Sequence, residues 1–170
     1  MFDTCVLGVD PGVARLGLAV VGAREKKPVV VWAGVVRTPS DLDESRRLAR
    51  IAQAIRTTID THRPDTVAVE RVMWGQNKTS ALIVARVTGV VLLVAAEAGL
   101  PVEEYVPLEV KNAITGLGNA GKEQVRRALA RVHGLRDVPD QPDAADAVAV
   151  AVAHLTCAKM RRLVARSGAR

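Results

Sequence analysis

Three short apolar runs open the chain, TCVLGVD (4–10), RLGLAVVGA (15–23) and PVVVWAGVVRT (28–38), split by a Pro-Gly turn and by the polar turn REKK. Runs of this length bounded by turn signals predict strands, and their close succession predicts a three-stranded meander. The period then changes. In DESRRLARIAQAIRTTIDTH (43–62), Leu48, Ile51, Ile55 and Ile59 fall on one helical face, so a helix is expected ahead of Pro64. DTVAVE (65–70) reads as a fourth strand ending in an acid, and RVMWGQN (71–77) as a loop. KTSALIVARVTGVVLLVAAEAG (78–99) is a helix apolar almost all round; such a helix is buried by the core on one side and often by a partner on the other. VEEYV is a weaker fifth strand, and PLEVKNAIT a short helix with Pro107 suited to its first turn. GLGNAG is a loop, KEQVRRALARVHG a basic amphipathic helix and RDVPDQ a linker before the closing helix, QPDAADAVAVAVAHL (141–155). Three strands followed by helices alternating with strands predict an α/β fold, a mixed five-stranded sheet with helices on its faces. Residues 1–158 are expected to form one domain and the basic stretch 159–170 a disordered tail.

Length agrees, since 170 residues suffice for one domain with a sizeable core. Lys and Arg outnumber Asp and Glu by 24 to 18, for a net charge of +6, which favours a polyanionic partner. Cys5 and Cys157 lie at opposite ends of the chain without metal-ligand spacing, and read as small buried hydrophobes in a reducing cytoplasm. No cationic, hydrophobic leader opens the sequence, so a cytoplasmic location is expected. Within the long apolar helix Arg86 leaves an uncharged run, 87–96, too short to span a bilayer.

Four acids carry the candidate chemistry. Asp10 and Glu70 each end an apolar strand; Asp143 and Asp146 sit one helical turn apart at the start of the last helix. Singly, each has a structural reading: a turn residue, an exposed strand end, a helix cap. Asp146 is harder to dismiss, because it lies beyond the capping positions beside a run that must pack on the sheet. Strand-end and helix-start acids meet at one edge of an α/β sheet, where such folds place their sites. Carboxylates gathered there repel unless cations neutralise them, and an all-oxygen cluster suits Mg²⁺ or Mn²⁺. Two such ions about 4 Å apart activate a water and stabilise the leaving oxygen in phosphodiester hydrolysis.

LGVDPGVARLGLAVV, VAVERVMWGQNKTSALIVARVTGVV and QPDAADAVAVAVAH resemble, in order and spacing, segments of the RuvC family of bacterial Holliday-junction resolvases. The resemblance runs from about Val6 to His154. It implies a ribonuclease H-like fold and a homodimer on a four-way DNA junction. It implies symmetric metal-dependent nicks, with branch-migration proteins RuvA and RuvB as partners. Asp10, Glu70, Asp143 and Asp146 match the family's metal-binding acids, with two ions per site. Lys111 and Lys122 match basic residues used near the scissile phosphate, and residues 78–98 match the dimerisation helix. There is one departure. Where the best-known members carry an aromatic wedge three residues after the strand-four acid, this chain has Met73, then Trp74; either is a candidate for insertion into the junction. Asn77, Lys78 and Arg126 are further candidates for DNA contact, beside Met73, Trp74, Lys111 and Lys122.

Other function classes fit less well. GLGNAGKE (116–123) approaches the phosphate-loop pattern of an NTPase, but Glu123 stands where a hydroxyl should hold Mg²⁺, and helix rather than strand precedes it. An actin-like ATPase needs a longer chain for its two-domain cleft. A junction-binding protein without cleavage has no use for four acids near phosphate. His133 and His154 read as structural and His62 as solvated. The basic face of Lys122, Arg126, Arg127 and Arg131 serves equally as a DNA contact or a solvated helix surface.

Overall fold

The structure is a computed structural model describing residues 2–25, 27–71 and 78–167, with side chains described for 2–25, 27–71 and 81–158. Strand β1 (Thr4–Asp10) forms the middle of the sheet because both of its faces are apolar: Val6, Leu7 and Val9 are fully buried. It pairs antiparallel with β2 (Arg15–Arg24), which pairs antiparallel with β3 (Lys27–Arg37), giving the expected meander. On its other side β1 pairs parallel with β4 (Thr66–Glu70), and β4 with β5 (Val102–Tyr105), for the order β3-β2-β1-β4-β5. The mixed five-stranded sheet expected from the pattern is therefore present.

Strand alternation sorts the side chains into two cores. Leu7, Val9, Leu16, Leu18, Val20, Val67 and Val69 face helices α1 (Glu44–His62) and α2 (Lys78–Glu97), whose Ile51, Ile55, Val87, Val91 and Val94 complete that layer. Val6, Ala19, Val21 and Ala68 face the other way, toward α5 (Pro142–Ser167), with α3 (Pro107–Thr115) and α4 (Lys122–Arg131) packed beside it. Asp43 caps α1, its carboxylate accepting from the Arg46 N–H at 2.9 Å. Ion pairs Arg86–Glu44 at 2.6 Å and Arg56–Glu97 at 2.9 Å tie α2 to α1, so Arg86 serves the inner seam of the apolar helix. The α5 backbone is helical to Ser167, so the stretch 159–170 begins inside that helix.

Two glycines set how closely α5 approaches the sheet. A Cβ on Gly8 would collide with the Ala147 carbonyl oxygen, and one on Gly17 with the Asp143 carbonyl oxygen. Only hydrogen fits at these positions, so the helix backbone lies directly on β1 and β2. Gly17→Ala is expected to destabilise the fold by about 1–3 kcal/mol, the usual range for overpacking. It should also lift Asp143 away from the strand ends. Urea unfolding checks this, and a variant as stable as the parent would show that the helix has room to move.

Three expectations for single residues are corrected. His62 is not solvated; it is half-buried and stacks on Trp32 with ring centroids 5.4 Å apart. Neither Cys5 nor Cys157 forms a disulfide, and both are half-buried rather than buried. In Cys5 the strand-end position leaves the thiol beside Asp65, and burial, then that charge, push its pKa up. Among the described residues no helix is long and apolar enough to cross a membrane.

Candidate active site

Strand parity alone puts two acids together. Val6, Gly8 and Asp10 lie on the α5 side of β1, and Ala68 and Glu70 on the α5 side of β4. Because Val9 is in register with Val69, Asp10 and Glu70 are the next residues on adjacent parallel strands. Such strand ends are where open α/β sheets bind ligands. The turn after Asp10 is pinned from the far end of β3: the Thr38 hydroxyl donates to the Val13 carbonyl and the Thr38 N–H to the Ala14 carbonyl at 3.2 Å. Arg47 Nε in turn donates to Thr38 Oγ1 at 2.8 Å.

The other two acids arrive from α5. Asp143 lies in the first helical turn, where the helix dipole favours negative charge, and Asp146 follows one turn later on the same side. Their mutual effect is visible in Asp10, whose pKa is pushed from an ordinary 3.8 to about 7 by burial first, then by the charges of Glu70, Asp146 and Asp143. Glu70 is raised as well, by burial and then by Asp146, while Lys122 and Lys111 pull it back. Both lysines implied by the resemblance thus act electrostatically on the acid cluster.

Lys122 stands at the first position of α4, where the helix dipole opposes a cation. What holds it there is Asp146, whose Oδ2 accepts from Nζ at 2.7 Å, and this bond, ahead of the surrounding acids, raises the lysine's pKa. The loop before it is fixed locally: Gly121 N–H donates to Gln124 Oε1 at 2.7 Å, and Thr115 Oγ1 accepts from Leu117 N–H at 3.0 Å. This loop follows a helix, α3, so the strand–loop–helix context of a phosphate loop is absent here.

Arg15 is a residue that the sequence pattern did not single out. Its Nε lies 3.4 Å from Asp143 Oδ2. The available signal was parity: Arg15 precedes Gly17 by two on β2 and so shares its α5-facing side. The two helix acids therefore each engage a cation from a different element. Among the described residues no three Asp, Glu, His or Cys side chains are gathered closely enough to hold an ion as they stand. The donor set itself, four carboxylates with no thiol or imidazole, has the chemistry of a hard divalent ion.

The remaining candidates divide. Arg126 pairs with Asp140 at 2.6 Å and Arg127 with Glu123 at 3.0 Å, away from the acids. Met73, Trp74 and Asn77, and the side chain of Lys78, lie outside the described residues. His154 faces Tyr105, with Nδ1 3.0 Å from the phenol oxygen, and His133 Nε2 lies 3.1 Å from the Ile114 carbonyl, so both have structural partners.

Known proteins are similar to this chain over most of its length. Residues 6–154 match the family model for crossover junction endodeoxyribonuclease RuvC. The enzyme of that name from Saccharopolyspora erythraea is 46% identical over 166 residues, covering 97% of this chain and 83% of its own. The one from Moorella thermoacetica is 45% identical over 157 residues, covering 92% of this chain and 94% of its own. The structure of T. thermophilus RuvC in complex with a Holliday junction substrate superposes with a TM-score of 0.86 at 35% identity, over 92% of this chain and 96% of that one. The family match, the sequence identity and the superposition agree, and the chain belongs to the RuvC family of crossover junction endodeoxyribonucleases, enzymes with a ribonuclease H-like fold.

Proposed function

We propose that this protein resolves Holliday junctions in DNA recombination and repair, as a cytoplasmic homodimer that makes two symmetric phosphodiester cuts. Each cut leaves a 5′-phosphate and a 3′-hydroxyl. The observation that carries the reading is the convergence of Asp10, Glu70, Asp143 and Asp146 at one end of the sheet, where burial first and then the charges of the other three raise the pKa of Asp10 to about 7. A nuclease family that works with divalent metal, and a T. thermophilus relative seen with a Holliday junction substrate, support it.

Asp10, Glu70, Asp143 and Asp146 would hold two Mg²⁺ or Mn²⁺ ions, which supply an activated water and charge stabilisation at the leaving oxygen. Ions there would compete with Arg15 and Lys122 for Asp143 and Asp146. Lys122, released from Asp146, and Lys111, on the neighbouring helix, then neutralise charge on the phosphate. Residues 1–158 make up the nuclease domain, and the basic stretch 159–170 adds charge beside it. Met73 or Trp74 supplies the wedge, with Asn77, Lys78 and Arg126 as DNA contacts. RuvA and RuvB are the partners that the family resemblance implies.

The outer side of α2 supports the dimer. Leu82, Leu92 and Leu93 are exposed there, and Ala85, Gly89 and Ala96 leave room between them for a second helix. Two sites related by a two-fold axis match the symmetry of a four-way junction.

The test uses a mobile-core four-way junction and a linear duplex of the same sequence, each with Mn²⁺ or EDTA. Paired nicks in two strands of like polarity are expected on the junction alone, and only with Mn²⁺. Junction binding without nicks would favour a non-cleaving binding protein, and ATP hydrolysis at the 116–123 loop would favour an NTPase.

A further inference from the structure

Arg15 and Lys122 divide the two α5 acids between them, Arg15 on Asp143 at 3.4 Å and Lys122 on Asp146 at 2.7 Å. The strand acids Asp10 and Glu70 are half-buried, and burial leads the causes that raise them. Arg15 is 59% exposed and Asp143 26%, so the guanidinium lies at the lip of the site with room to swing. Directly across the antiparallel ladder stands Arg37, also exposed. Like charges in facing positions of two strands destabilise the pair. An arginine pair held at the rim of an acid cluster is instead suited to a doubly shared anion, and a DNA phosphate is such an anion.

We propose that Arg15 is a positioning residue that couples metal loading to DNA binding: it occupies Asp143 until a divalent ion takes that carboxylate, and then engages a backbone phosphate flanking the cut. The inference rests on the metal-dependent reading of the acid cluster. Its physical basis is competition. An ion on Asp143 and the guanidinium beside it are like charges that repel, so each weakens the other's hold on the carboxylate. The displaced guanidinium has its fork free for phosphate, where its geometry allows two parallel hydrogen bonds. Metal therefore assists DNA binding through Arg15, and by linkage DNA assists metal binding to the same degree.

The test compares wild type, Arg15→Gln, Arg15→Lys and Arg37→Gln. Mn²⁺ binding without DNA is read from the EPR signal of the free ion, and four-way junction binding from fluorescence anisotropy, in EDTA and in Ca²⁺. Arg15→Gln should bind Mn²⁺ about two- to fivefold more tightly than wild type, the range of a half-exposed ion pair. Its junction affinity should fall more in Ca²⁺ than in EDTA. Arg15→Lys should lie between, since a lysine still pairs but lacks the fork. Arg37→Gln removes the same charge from the neighbouring strand, so it should move Mn²⁺ affinity less. Equal Mn²⁺ affinities for wild type and Arg15→Gln would overturn the coupling alone, as would an equal shift in Arg37→Gln. Asp10→Asn is measured beside them, and Mn²⁺ affinity as high in it as in wild type would overturn the metal reading together with the coupling.

Discussion

Asp10→Asn is expected to lower strand cleavage by on the order of 10³-fold or more, the scale of losing the charge stabilisation that a bound ion contributes. Junction binding should survive or tighten, because a negative charge is removed from the vicinity of phosphate. The reason lies in the position of Asp10 among the four acids. It ends the central strand, it is the most strongly shifted carboxyl of the cluster, and Glu70, Asp146 and Asp143 all act on it. Nicking of a four-way junction in Mn²⁺ and gel-shift binding in EDTA measure the two effects separately. Undiminished nicking would remove Asp10, and with it the cluster, from the chemistry.

The second large effect is on stability against pH. Asp10 ionises at about 7 in the folded protein but near its ordinary 3.8 when the chain is unfolded. Between those values the folded state binds a proton that the unfolded state has lost, so stability falls as pH rises through that window. Glu70 shifts in the same direction and adds to the fall. The loss from Asp10 is up to about 4 kcal/mol. It should be recovered by Mn²⁺, which favours the ionised cluster of the folded state. Asp10→Asn should flatten the profile across the same window and weaken the Mn²⁺ response. Urea unfolding of both proteins at several pH values tests it. Wild-type and Asp10→Asn profiles that run parallel from pH 3.8 to about 7 would mean that Asp10 is not shifted by burial and by its acidic neighbours.

Acids that lower the stability of their own fold are consistent with a site selected for binding rather than for packing. The same conflict appears at Lys122, a cation at the start of a helix, and at Arg15 and Arg37, like charges on facing strand positions. In each case a local rule is broken close to the acids, and the offsetting partner comes from another element.

Periodicity was enough for the architecture. The apolar run in 4–10, the 3.6-residue period in 43–62 and the turn residues between them marked strand and helix, because a strand buried on both faces is apolar throughout and a helix buried on one face takes its period from that face. The identity of the four acids was legible too, since a carboxylate at the end of an apolar strand or inside an apolar helix is costly without a partner. That such acids can meet at a sheet edge was legible as well; what brings these four together was not. It depends on the parallel register of β1 with β4, which makes Asp10 and Glu70 neighbours, and on Gly8 and Gly17, which let α5 bring Asp143 and Asp146 down onto them. The pairing of Arg15 with Asp143 joins residues far apart along the chain, and no local pattern encodes a contact between separate elements. Local sequence sets which face each element buries; the distances between charges on different elements exist only once those faces have packed.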